Sequence, residues 1–215
     1  MSAPGVQAGR RGSGRWPGVT VAGAGFASTV MLVPGMSQHL VFDRAAVAAE
    51  PWRVLTGHFV HASLDHFAWD VGAFVVLCLL AESIGRWRCV VCVGASALLV
   101  PAVLVCALPG LTSYCGLSGI DSALFSLVAA ALLRRSSGER AAGVLTALLS
   151  VLFVVKLGYE CSTGATLFVD PVGIAPTPVP LAHVVGAAVG AACGAWPDCA
   201  RSGTRRCDGA TASTS

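Results

Sequence analysis

The sequence predicts an all-α membrane protein, a bundle of six transmembrane helices with both termini on the cytoplasmic side. Three observations predict it. Of 215 residues, 55% are hydrophobic and only 12% are charged, where a soluble domain has about a quarter charged. The mean hydropathy is +0.74. The apolar residues gather into six runs, and the basic residues gather on one side of them.

The runs are roughly 17–36, 67–84, 89–108, 117–134, 140–156 and 180–197. Each is near the ~20 residues that carry a helix across the hydrocarbon core. Backbone groups there must satisfy one another, which makes helices the expected form. The joining stretches include "GRWR" at 85–88 and the polar residues around Glu139 and Arg140, both read as loops. Eleven arginines fall on one side of a six-span chain: Arg10, Arg11, Arg15, Arg86, Arg88, Arg134, Arg135, Arg140, Arg201, Arg205 and Arg206. Arg44, Arg53 and Lys156 fall on the other. Eleven against three puts both termini in the cytoplasm. The basic start followed by an apolar run has the outline of a signal peptide, with "AGAGFAS" as its small residues. The run continues to Val33, and losing it would leave five spans, so it is read as the first span. Residues 1–15 and 198–215 read as disordered tails around one domain, 16–197.

The net charge of +3 is split among short loops, and no basic–aromatic surface suggests nucleic acid. Nine cysteines are present. The "CVVC" at 89–92 has metal or redox spacing but stands alone at a helix end, so it reads as structural and no metal is expected. Cys115 and Cys161 both fall outside and are a candidate disulfide pair.

Ionisable groups within a membrane are costly and mark function. Here they form a layer. "GHFVHASLDHFAWD" brings His58, His61, His66 and Asp70 to the start of the second span. Ser118 opens the fourth and His183 the sixth. These three spans run in the same direction, so Ser118, His183, His66 and Asp70 lie at one depth, about a turn below the external surface. A serine and a histidine on neighbouring helices can form a nucleophile–base pair. Gly116 and Gly119 flank Ser118 at a helix start, where free N–H groups can stabilise an oxyanion. Gly186, Gly190 and Gly194 recur every four residues, and such stripes let helices approach closely. Ser118, Ser122 and Ser126 offer a matching small face. Plainer readings stand beside these: Ser118 as a packing residue, His183 bonded to a carbonyl, His58 and His61 as interfacial groups. Asp121 reads as a helix-start cap and Glu82 as a solvated helix-end charge. Lys156 and Glu160 have the spacing of a helical ion pair at the external end of the fifth span; a gating role there is the alternative. "DPVGIAPTPVP" at 170–180 reads as a stiff external loop, either a lid over the site or a plain connector.

The H-x4-H-x3-D of His61, His66 and Asp70, the GLSG of 116–119 and the HxxGxxxG of 183–190 together resemble a six-span rhomboid intramembrane serine protease. "EPWRVLTGHFVHASLDH" (50–66), "YCGLSG", "VKLGYE" (155–160) and "PLAHVVGAAVG" (180–190) resemble more narrowly its bacterial rhombosortase subfamily, associated with GlyGly-CTERM substrates. The resemblance implies a rhomboid-like bundle in the bacterial inner membrane, with its site facing the periplasmic side. It implies Ser118 as nucleophile and His183 as base, a dyad without a catalytic aspartate. His66, the residue at 70 and the Ser118 amide would assist the oxyanion. His61 would support the loop before the second span, Gly116 would shape the site, and Gly119, Gly186 and Gly190 would serve helix packing. No cofactor is implied. The partners implied are the bilayer and membrane-anchored proteins with a C-terminal transmembrane signal.

Position 70 departs from the family, which usually has asparagine there. A carboxylate only accepts hydrogen bonds and would repel an oxyanion. Protonated, it can donate; alternatively it pairs with His66. Position 121 departs too, since an apolar residue is more usual after GLSG. The expected activity is therefore serine endopeptidase. The alternative is an inactive rhomboid-like protein that binds membrane clients. A small transporter fits less well, because the polar groups stop in the outer half and no inverted repeat is present.

Overall fold

The computed structural model describes residues 16–135, 140–164 and 179–196. The expected tails and most of the proline-rich loop lie outside these residues. The chain forms α1 (Gly18–Leu32), α2 (Met36–Leu40), α3 (Arg53–Thr56), α4 (Leu64–Ala107), α5 (Ser118–Arg135), α6 (Arg140–Thr163) and α7 (Pro180–Ala195). Two short strands, β1 (Phe42–Asp43) and β2 (Ser113–Tyr114), pair antiparallel with Phe42 opposite Tyr114.

The second and third runs differ from expectation. "GRWR" is not a loop: only Gly85 leaves the helical region, with extended backbone. The two halves of α4 therefore meet across one residue. Each half is about one membrane thickness long. Ser63 caps the start of α4, its hydroxyl accepting the His66 N–H at 3.1 Å, and Asp65 sits in the first turn where the dipole favours it. Among the described residues, α4 and α6 are long and apolar enough to cross a membrane.

The arginine-rich end gathers both ends of the described chain. Arg88 donates to the Trp196 carbonyl at 2.9 Å, and Arg134 donates to Ala195 and Trp196 at 2.8 and 3.0 Å. Both cations thus satisfy the free carbonyls that close α7. Glu82, expected to be solvated, instead receives the amides of Val19 and Thr20 and the Thr20 hydroxyl at 3.3, 3.1 and 2.7 Å. A carboxylate from α4 caps α1, because the first helix turn has no partners of its own.

At the opposite end, residues 36–63 form a cap. Arg44 donates to the carbonyls of Val105, Leu108 and Leu111, closing the end of α4. Arg53 is buried, pairs with Glu50, and donates to the carbonyls of Gln38 and Val41. Two of the three minority cations are thus consumed by local carbonyls. His58, expected to be interfacial, is fully buried with Nε2 3.1 Å from the Ala97 carbonyl. Burial pushes its imidazole down to about 4. The unfolded chain therefore takes up a proton between about pH 6.5 and 4 that the native state refuses, and stability falls as pH falls through that window. We expect thermal unfolding in mild detergent to show a loss between pH 7 and 4.5 that His58→Gln reduces, by roughly 3 kcal/mol at most.

The core lies between α4, α5 and α7, built on Phe74, Cys78, Leu117, Ile120, Leu124 and Leu127. Cys89 and Cys92 are buried in it, with Cys89 Sγ 3.5 Å from Cys78 Sγ. Cys115 and Cys161 are both free thiols, so the candidate disulfide is not formed. Cys115 is buried while Cys161 is exposed. α6 stands at the rim. Its apolar side chains, among them Val144, Leu148, Val151 and Val155, face outward, and the Phe125–Phe153 ring pair, 4.6 Å between centroids, ties it to α5.

Candidate functional site

α5 and α7 lie against each other backbone to backbone. A Cβ at Gly186 would collide with the Gly119 carbonyl, and one at Gly190 with the Ala123 carbonyl. Gly194 meets Ala130 and Leu127. The facing stripe on α5 is therefore Gly119–Ala123–Leu127, not the serine row expected from spacing. Ser122 turns back and donates to the Ser118 carbonyl at 2.8 Å, so its hydroxyl is satisfied within α5 and leaves the seam to bare backbone.

This close approach sets Ser118 against His183. Ser118 Oγ is 2.9 Å from His183 Nε2. His183 is buried and Ser118 is half-buried at the first residue of α5. Gly116 enters this turn at φ +109°, a left-handed value that suits glycine. A Cβ there would stand 2.8 Å from His66 Nε2 and 3.0 Å from Asp70 Oδ2.

Asp70 Oδ2 accepts the amides of Leu117 and Ser118 at 2.9 and 3.2 Å. His66 Nε2 lies 3.1 Å from the same oxygen. The Ala62 amide donates to His66 Nδ1 at 3.4 Å, so Nε2 carries the ring proton and donates to Asp70. Three N–H groups thus converge on one carboxylate oxygen beside Ser118. His61 Nε2 is 3.6 Å from that oxygen, and the His61 ring meets His66 and Phe67 edge-on, with centroids 5.1 and 5.5 Å away. The structure therefore brings together Ser118, His183, His66, Asp70, His61 and Gly116. Gly119, Gly186 and Gly190 lie in the seam beneath them.

Two acidic residues stand where their spacing predicts but are buried. Asp121 lies in the first turn of α5, and its Oδ1 has no hydrogen-bond partner among the described residues. Glu160 forms the expected ion pair with Lys156 in the last turns of α6, which runs on to Thr163, but it is 1% exposed. Its Oε1 receives Lys156 Nζ at 2.7 Å, and its Oε2 lies 2.8 Å from His183 Nδ1. The signal that pointed to it was a charged pair four residues apart within an otherwise apolar run.

A hydroxyl against an imidazole, with backbone amides at hand, is the equipment of acyl transfer. No curated protein matches the chain. Residues 48–197, which hold every one of these side chains, match the rhomboid domain. An apolar helical bundle whose polar groups meet in one layer, matched over more than half its length, places this chain in the rhomboid family of intramembrane serine proteases.

Proposed function

We propose that this chain is an active intramembrane serine endopeptidase using Ser118 and His183. It spans the bacterial inner membrane six times with both termini inside, and cuts near the external face. The supporting observation is the 2.9 Å contact between Ser118 Oγ and His183 Nε2. The Ser118 oxygen attacks the scissile carbonyl carbon while its proton passes to His183 Nε2. The imidazolium then gives that proton to the departing amide nitrogen as the C–N bond breaks. Water repeats the sequence on the acyl-enzyme and restores the serine. Substrates are membrane-anchored proteins, and the rhombosortase-like motifs favour C-terminal GlyGly-type signals.

The test is cleavage of a tagged protein carrying such a tail, in membranes, with wild type against a Ser118→Ala/His183→Ala double variant at matched levels. Cleavage only by wild type supports the enzyme and its substrate class together. No cleavage, with a serine-reactive fluorophosphonate still labelling Ser118, retains the protease and removes the substrate class. Folded protein that neither cleaves nor labels favours the client-binding alternative.

That alternative draws on Asp70, whose Oδ2 occupies the N–H groups an oxyanion would use. An acceptor there competes with the substrate carbonyl, whereas an amide can donate to it. Asp70→Asn is therefore expected to preserve turnover or raise it, by up to about tenfold, given that one oxyanion donor is worth ~10²–10³ in kcat. A large loss of cleavage in Asp70→Asn protein at normal level would assign the carboxylate a necessary role.

A further inference from the structure

We propose that Glu160 is a positioning residue for the base, so that the site operates as a Ser118–His183–Glu160 triad anchored by Lys156. This rests on the Ser118–His183 reading above and extends it. The argument is the direction of each hydrogen bond. Lys156 Nζ can only donate, and it holds Glu160 Oε1 at 2.7 Å. Glu160 Oε2 faces His183 Nδ1 at 2.8 Å, and a carboxylate can only accept. His183 Nδ1 must then carry the ring proton, which leaves the Nε2 lone pair facing Ser118 Oγ at 2.9 Å. That is the tautomer a general base needs. When the serine proton arrives at Nε2, the ring becomes a cation with Glu160 already beside it. Glu160 keeps its own charge state throughout, and the proton goes on to the leaving nitrogen. The chain of contacts crosses three helices, α6 to α7 to α5, so the tertiary structure alone assembles it.

Burial adds a second argument. Glu160 is 1% exposed on a helix whose other side chains mostly face outward. The Lys156 pair lies within α6, so the carboxylate reaches another helix through its second oxygen, which faces the imidazole.

The test uses the purified full chain in mild detergent and a fluorophosphonate, which reports the reactivity of Ser118 without requiring substrate recognition. Glu160→Gln keeps the size of the side chain but offers an amide that can donate to Nδ1 and reverse the tautomer. We expect its labelling rate to fall at least 100-fold. Where a GlyGly-tailed substrate is cut, kcat should fall by a similar factor and KM by less than about threefold, as for an orienting carboxylate. A fastening role would instead lower the unfolding temperature and leave kcat of the folded protein unchanged. If Glu160→Gln does not fold, Glu160→Asp is read in its place; drawing the carboxylate back by one methylene should slow labelling at least tenfold. Wild-type rates in either folded variant overturn the proposal while leaving the dyad intact. A wild-type chain that is not labelled at Ser118 overturns both.

Discussion

Alanine at Ser118 is expected to abolish fluorophosphonate labelling and to lower kcat by about a millionfold. His183→Ala should cost nearly as much. Without the imidazole the Ser118 hydroxyl has no group 2.9 Å away to take its proton, and a neutral hydroxyl is a poor nucleophile. The two losses should not add. Residues that act as one unit lose nearly everything on the first removal, so the double variant should be no slower than either single one. Measurement of kcat for the three variants against wild type checks this. Additive losses would mean that Ser118 and His183 act on separate steps.

The second large effect concerns the seam. Gly190→Val is expected to prevent assembly of the native bundle, and Gly186→Val to do the same or leave a folded but inactive protein. In each case the new Cβ meets a backbone carbonyl of α5, which has no rotamer with which to move aside. The helices must separate, and overpacking of this kind costs ~1–3 kcal/mol or more. Separation also draws His183 away from Ser118, and a shift of about 1 Å can cost ~10²-fold in rate. Gly158→Ala is the control, because nothing among the described residues lies within 4 Å of a Cβ at that position. It should be neutral or gain up to ~1 kcal/mol of helix propensity. Thermal unfolding and labelling of the three variants in detergent would decide. Valine at Gly190 with wild-type stability would show that α5 and α7 are not in backbone contact.

Much of this molecule could be read from its chain. Apolar runs mark helices because the hydrocarbon core admits little else, and five of the six expected runs correspond to helices within a few residues. Motif spacing brought His61, His66, Asp70, Ser118 and His183 forward as candidates, because polar groups at the ends of apolar runs carry a cost that function must justify. Two features are illegible in the sequence for one shared reason: "GRWR" reads as a loop and Glu82 as solvated, because charge in a sequence suggests water. The Lys156–Glu160 pair forms as its spacing predicts, but its burial against another helix is not local information. In the structure Glu82 caps another helix and Glu160 faces His183.

The serine row of α5 does not face α7, because periodicity gives spacing without phase. Ser118, Ser122 and Ser126 share one stripe, and Gly119, Ala123 and Leu127 share the next. Only contact with Gly186 and Gly190 selects the second.

By itself the sequence determined the class of the protein, the positions of its apolar helices and the candidate pair of serine and histidine, since these depend on local hydropathy and residue chemistry. The tertiary structure decided which faces meet, that Asp70 receives the amides beside Ser118, and that Lys156, Glu160, His183 and Ser118 form one hydrogen-bonded line. Those are properties of distance and direction between residues up to 65 positions apart. They exist only once the glycine seam brings α7 onto α5 and α6 swings its carboxylate to the imidazole.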